Sequence, residues 1–215
     1  MTVYVGDTNA QKMVRRLKDM GWGRMLIFRT VDLYDGEPWS LDNGAYKAWR
    51  NGVPFDGPAF LDRLEFFRAW APWPPDFLVL PDIHRGGVAS LVESVSWGPR
   101  LQGDWPLALA LQDGMDAEDV SQVLGDLDGV STLFLGGSNA FKSKTKWWVD
   151  WGHERGLTVH YGRCGTLPHA RNALYSQPDS LDSAFPLWHY DRFDQFSRIL
   201  EDGDWQMELI TRDKA

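Results

Sequence analysis

The chain has one cysteine, Cys164, among 215 residues. That excludes an internal disulfide and a cysteine zinc cluster. Its five histidines form no His-x3-His pair on a helical stretch, so a structural metal is not expected. No apolar run approaches the roughly 20 residues that cross a bilayer. Met1 to Arg16 holds no apolar core of a secretory leader. The expectation is a cytoplasmic protein. No Gly-x-Gly-x-x-Gly follows the first β-rich run, which removes the usual dinucleotide fingerprint. Glycine and proline are too few for a low-complexity chain.

Positive charge is also short. The net charge of −8 argues against a protein that coats nucleic acid over its whole surface. The deficit is uneven, however. Residues 1–30 and 138–171 each carry six basic side chains against two acidic ones. A local basic face is therefore compatible with an acidic total.

What is present is a globular composition, 43% hydrophobic and 24% charged, with 12 tryptophans to anchor cores or interfaces. The length suits one domain spanning 1–215. Eight short β-rich runs recur at 3–5, 25–29, 39–41, 77–80, 107–111, 132–135, 157–160 and 181–185. Most are continuous apolar runs, as strands buried on both faces require. Helical patterns fall at 9–20, 60–69, 116–127, 143–155, 168–177 and 192–201. Strands alternating with helices predict an α/β fold with a parallel sheet, and eight strands favour a compact (β/α)8 TIM-like barrel. The polar stretch 30–38 is too short for a crossover helix, so one βα unit should be degenerate. A flavodoxin-like or Rossmann sheet is the competing arrangement.

Unusual residues follow the strands. They are Asp42-Asn43-Gly44-Ala45-Tyr46, Pro81-Asp82-Ile83-His84, Gln112-Asp113-Gly114, Gly136-Gly137-Ser138-Asn139, His160-Tyr161-Gly162-Arg163 and Asp179-Ser180-Leu181-Asp182. One aspartate after a strand is most often a cap or turn former, and Asp113 and Asp179 are read that way. His84, His153, His169 and Cys164 are read as structural or left unassigned. Six such features at successive strand ends point to one barrel mouth, where Asp42, Asp82, Gln112 and Asp182 converge with the Gly136 and Gly137 amides. Asp182 lies inside an apolar strand, where a carboxylate is costly unless paired or functional. Carboxylates and an amide can read a purine edge. Paired carboxylates can also cleave a glycosidic bond through an oxocarbenium-like state.

At these residues the sequence resembles the tRNA-guanine transglycosylase superfamily, closest to the phage and bacterial 7-deazaguanine DNA transglycosylases. The similarity runs from Trp39 to about Phe185, and the His160-Tyr161-Gly162-Arg163 segment is closer to the DNA-acting branch. The resemblance implies base exchange in DNA by double displacement. It makes Asp182 the nucleophile and Asp42 the general acid/base. It places Tyr46 on the base, with Asp82, Gln112, Gly136 and Gly137 reading its edge, and with His160 and Tyr161 beside it. The partners would be DNA and a free 7-deazaguanine base such as 7-cyano-7-deazaguanine, with no cofactor. Arg163, Lys142, Lys144 and Lys146 would hold phosphates, although such lysines are commonly just a solvated helix face. The family's tRNA-acting members carry a zinc subdomain that one cysteine cannot build, and the short chain suits a phage-encoded form acting in the host cytoplasm. Two other readings remain. One is a hydrolase, lyase or base-exchange enzyme on free deazaguanine nucleosides in salvage. The other is a non-catalytic subunit that reaches DNA through a partner.

Overall fold

The structure, a computed structural model, describes residues 1–27, 31–101, 103 and 105–212, with 202–212 as backbone. Eight parallel strands close into a barrel in chain order. They are β1 (Thr2–Gly6), β2 (Gly23–Leu26), β3 (Trp39–Leu41), β4 (Leu78–Val79), β5 (Leu107–Leu111), β6 (Val130–Leu135), β7 (Thr158–Tyr161) and β8 (Ser180–Ser183). The ring closes where β8 pairs with β1, Asp182 opposite Tyr4. The (β/α)8 barrel expected from the strand count is therefore what the chain adopts. The expected second strand reached Arg29, and its last two residues lie outside the described ones.

Alternation along each strand separates two cores. Leu107, Leu109 and Leu111 of β5 point outward into a large cluster with Leu133, Leu135, Trp39 and Phe67. Tyr4, Met25, Phe77, Val79, Ala108, Ala110 and Phe134 point inward and fill the barrel. His160 joins that interior, stacked on Phe134 at 4.8 Å and edge-on to Phe77 at 5.1 Å.

The outer helices are α1 (Gln11–Met20), α2 (Ala45–Arg50), α3 (Gly57–Trp70), α4 (Val88–Leu101), α5 (Ala117–Asp126), α6 (Asn139–Lys142), α7 (Thr145–His153), α8 (Leu167–Ser176) and α9 (Tyr190–Arg212). Local chemistry sets several of their starts. The Asp56 side chain accepts from Ala59 N–H at the head of α3. Asp116 and Asp119 form a reciprocal capping box on α5. Helices α2, α4 and the single turn α6 were not expected from the sequence.

No helix joins β2 to β3 among the described residues, as the polar 30–38 stretch predicted. An ion pair replaces it. Arg24, fully buried, donates to both carboxylate oxygens of Glu37 at 2.5 and 2.6 Å. Its remaining donors reach the carbonyls of Thr8 and Asp32. Gly23 lets the chain pass here, since a Cβ at that position would lie 1.9 Å from the Pro38 carbonyl oxygen. No helix among the described residues is long and apolar enough to cross a membrane.

Candidate active site

A cavity of about 290 Å3 opens at the C-terminal ends of the strands. This is near the lower limit of small-molecule sites, about 300 Å3. Met25, Val79, Ala110 and Phe134 form its apolar floor. Asp42, Asp82, Gln112, Gly136, Gly137 and Asp182 line its walls, and Tyr46, Arg50, His84 and Arg163 stand around it. Most of the sequence-predicted site thus meets in one place.

Asp182 extends inward from β8. One of its oxygens accepts from the Arg163 backbone N–H at 2.7 Å and from His160 Nε2 at 3.1 Å. His160 Nδ1 lies 2.8 Å from the Ser180 hydroxyl. The carboxylate fixes the proton on Nε2, leaving Nδ1 to accept from Ser180. Burial lowers the His160 pKa and keeps the ring neutral, although the Asp182 hydrogen bond opposes this. His160 therefore lies under Asp182 and braces it, rather than touching a ligand as expected.

Asp42 follows β3 and accepts from Gly44 N–H at 2.7 Å. Burial raises its pKa above the usual carboxylate range. Nearby Asp182 raises it further, while the Gly44 hydrogen bond, Arg63 and Arg163 pull it down. Such a group holds a proton to higher pH than an ordinary aspartate. Asp82 is pushed up to about 6, chiefly by burial, against a hydrogen bond from Asn43.

Asn43 and Gln112 fix Asp82 from two sides. Asn43 Nδ2 donates to Asp82 Oδ1 at 2.8 Å and to the Leu80 carbonyl at 2.6 Å. Gln112 Nε2 donates to Asp82 Oδ2 and to the Ile83 carbonyl. Gln112 Oε1 accepts from Arg85 N–H at 2.6 Å. Gln112 is thus a brace for Asp82 and the loop after β4, not a reader of a ligand edge as expected. The Gly136 amide is likewise engaged, donating to the carbonyls of Leu111 and Phe134. Gly137 has φ +63°, and a Cβ there would lie within 2.8 Å of the Phe141 ring. Its carbonyl accepts from Arg163 Nη2 at 2.9 Å.

Four expected residues, Tyr161, Lys142, Lys144 and Lys146, do not line the cavity. Tyr161 neighbours His160 in β7, so alternation turns it outward, where it is fully buried. Its ring lies beneath Lys142 Nζ, 4.7 Å away. Lys142 is itself buried, its ammonium donating to the carbonyls of Gly162 and Arg163. Burial lowers its pKa to about 8. It staples the loop after β7 instead of meeting phosphate. Lys146 pairs with Asp150, and Lys144 and Lys146 line a separate surface groove with Trp147. Asp113 and Asp179, read as caps or turn formers, accept instead from residues of neighbouring units: Asp113 from the Ser138 N–H and hydroxyl, Asp179 from Val159 N–H.

Asn43, Arg50, Arg85 and His84, none of them expected at the site, also stand at this mouth. Asn43 and His84 sat inside motifs already singled out, and Arg50 ends the short helix that begins beside Tyr46.

The fold and this mouth define a (β/α)8 barrel with an acidic, cation-rimmed cavity. No protein-family model matches the sequence, and no curated protein matches it significantly. Among solved structures, the chain is similar to a cube-shaped, highly porous protein cage designed by fusing symmetric oligomeric domains. The TM-score is 0.55 at 12% identity, covering 99% of this chain and 76% of that one. It is similar to a native KDPGal structure at TM-score 0.53 and 12% identity, over 95% of each chain. A candidate isomerase from Sinorhizobium meliloti gives TM-score 0.51 and 10% identity, over 92% of this chain and 52% of that one. At such identities the likeness is one of fold alone.

Proposed function

We propose that the protein is an enzyme that exchanges guanine in DNA for a 7-deazaguanine derivative. The observation that carries this reading is the pairing of Asp182, held as an acceptor by His160 and Arg163, with Asp42, a carboxyl whose pKa is raised, on one base-sized cavity. A guanine flipped out of the stack enters the mouth beside Tyr46. An Asp182 oxygen attacks C1′ as the C1′–N9 bond breaks. The bonding electrons go to the purine, which takes a proton from the Asp42 carboxyl. Guanine leaves and a 7-deazaguanine base enters. Asp42, now a carboxylate, removes the N9 proton of the new base. N9 then attacks C1′, releases Asp182, and restores the original configuration. Asp82, set by Asn43 and Gln112, meets a donor edge of the base.

A specific observation favours a second reading. Lys142 is buried and Lys146 is paired, so the lysine face expected to hold DNA is reduced. A base-exchange enzyme or hydrolase on free deazaguanine nucleosides would need no such face. Incubating the protein with labelled guanine and, separately, with DNA, tRNA and deoxyguanosine decides between them. Label entering DNA is expected. Label confined to deoxyguanosine or tRNA would overturn the DNA assignment.

A further inference from the structure

At the rim of the cavity, next to Tyr46, stands an aromatic lip whose Trp49, His84 and Arg85 the chemistry above does not use. Trp49, at the end of α2, is 45% exposed, and Tyr46 is 37% exposed. The His84 ring lies 4.3 Å from Trp49 and 4.9 Å from Tyr46. Cations cover this cluster. The Arg163 guanidinium sits 4.4 Å over Tyr46, and that of Arg85 sits 5.2 Å from Trp49. Arg50 lines the cavity on the same side. Asp113 is the acidic group facing Arg85 and His84.

The lip is held before any ligand arrives. Arg85 adopts φ +63° while its N–H donates to Gln112. Ile83 N–H donates to the Ser90 hydroxyl, and Gly86 N–H returns to the Ile83 carbonyl. The same glutamine that sets Asp82 therefore sets this loop.

We propose that the lip binds an unpaired DNA nucleotide adjoining the one in the cavity, its base stacking on Trp49 and His84 and its phosphates lying against Arg50, Arg85 and Arg163. This rests on the base-exchange reading for the identity of the neighbouring nucleotide. Exposed rings beside guanidinium groups are the elements that hold single strands, because every base offers a π-face while the backbone needs cations. A duplex keeps those faces stacked inside. Burial and the two arginines lower the His84 pKa, so its ring offers a neutral face to a base. The arrangement also moves the nucleic-acid contact from the lysines of α6 and α7 to the residues after β3, β4 and β7.

The test uses the full chain and fluorescence anisotropy of a labelled 12-nucleotide single-stranded DNA. The same sequence as a blunt duplex and as RNA provides the comparison. The single DNA strand should bind most tightly. Trp49→Ala should weaken it roughly 5- to 100-fold, as loss of one base–aromatic stack does, and Trp49→Phe should keep most of the affinity. Arg50→Ala with Arg85→Ala should flatten the salt slope by about 1.4, at about 0.7 per phosphate contact on a single strand. Equal affinity for duplex, tighter binding of RNA, unchanged binding in a folded Trp49→Ala protein, or no binding of any strand would overturn the proposal. Calorimetry with free guanine, run on the same proteins, reports the cavity separately. Loss of guanine binding with the lip intact would count against base exchange, not against the lip.

Discussion

His160 lies beneath Asp182, its Nε2 3.1 Å from the carboxylate oxygen that also accepts from Arg163 N–H. The ring has no route to a ligand, being fully buried between Phe134 and Phe77. It acts through Asp182, as a positioning residue. His160→Phe keeps the aromatic packing and deletes the donor. A hydrogen bond to a charged group contributes about 1.5–3 kcal/mol. The expected result is a roughly 10- to 100-fold fall in kcat with KM for the free base little changed. His160→Gln, whose amide can reach the same oxygen, should recover part of the rate. A loss confined to KM would contradict this role.

Asp82 couples the fold to pH. Burial pushes its pKa in the folded protein up to about 6, from the ordinary aspartate value of 3.8. Between those values the folded state holds more protons than the unfolded state, so this group makes stability fall as pH rises from about 4 to 6. Asp82→Asn cannot titrate. Chemical denaturation across that window should show a less negative slope of stability against pH in the variant than in the parent. Parallel slopes would contradict the assignment.

The buried Arg24–Glu37 pair stands where a crossover helix would otherwise close the second βα unit. Glu37 also accepts from Tyr34 N–H at 2.9 Å. Removing one charge leaves the other buried and uncompensated, which costs about 3–5 kcal/mol. Glu37→Gln should lose that much in denaturant unfolding. A loss below about 1 kcal/mol, the scale of an exposed pair, would show that the pair is not what holds this unit.

Lys142 holds the carbonyls of Gly162 and Arg163, and Arg163 in turn supplies an N–H to Asp182 from a backbone with φ +54°. Lys142→Met keeps the stem and deletes the ammonium. Activity should fall along with thermal stability, while the salt dependence of DNA binding should not change. A flatter salt slope in this variant would return Lys142 to the phosphate contacts.

The barrel was legible because its strands are continuous apolar runs at even spacing, each ended by a polar or glycine punctuation. The convergence of Asp42, Asp82 and Asp182 followed from that order alone. Three helices escaped notice for local reasons, α6 because it is a single four-residue turn. Helix α2 is six residues long and starts at Gly44 in the left-handed region, without a side-chain cap. Helix α4 carries Pro99 in its last turn, which reads as a breaker. Two site assignments failed against periodicity that was already visible. His160 and Tyr161 are adjacent in a strand and cannot both face the barrel mouth. Lys144 is two residues from Lys142 and from Lys146, a spacing that does not share a helix face, and Lys142 and Lys146, although four apart, fall in two different helices, α6 and α7. The bracing roles of Gln112 and Asn43 were not legible, because they depend on which neighbours reach their amides across the barrel.

The most direct test of base exchange is mass spectrometry of nucleosides from DNA incubated with the protein and a 7-deazaguanine base. The parent protein should convert deoxyguanosine to the corresponding 7-deazadeoxyguanosine and release free guanine in equal amount. Asp182→Asn should yield neither, with its fold retained by circular dichroism, because the variant lacks the carboxylate that the double displacement uses to bond C1′. Incorporation by Asp182→Asn at near the parent rate, or none by the parent with any 7-deazaguanine base on single- or double-stranded DNA, would contradict the account.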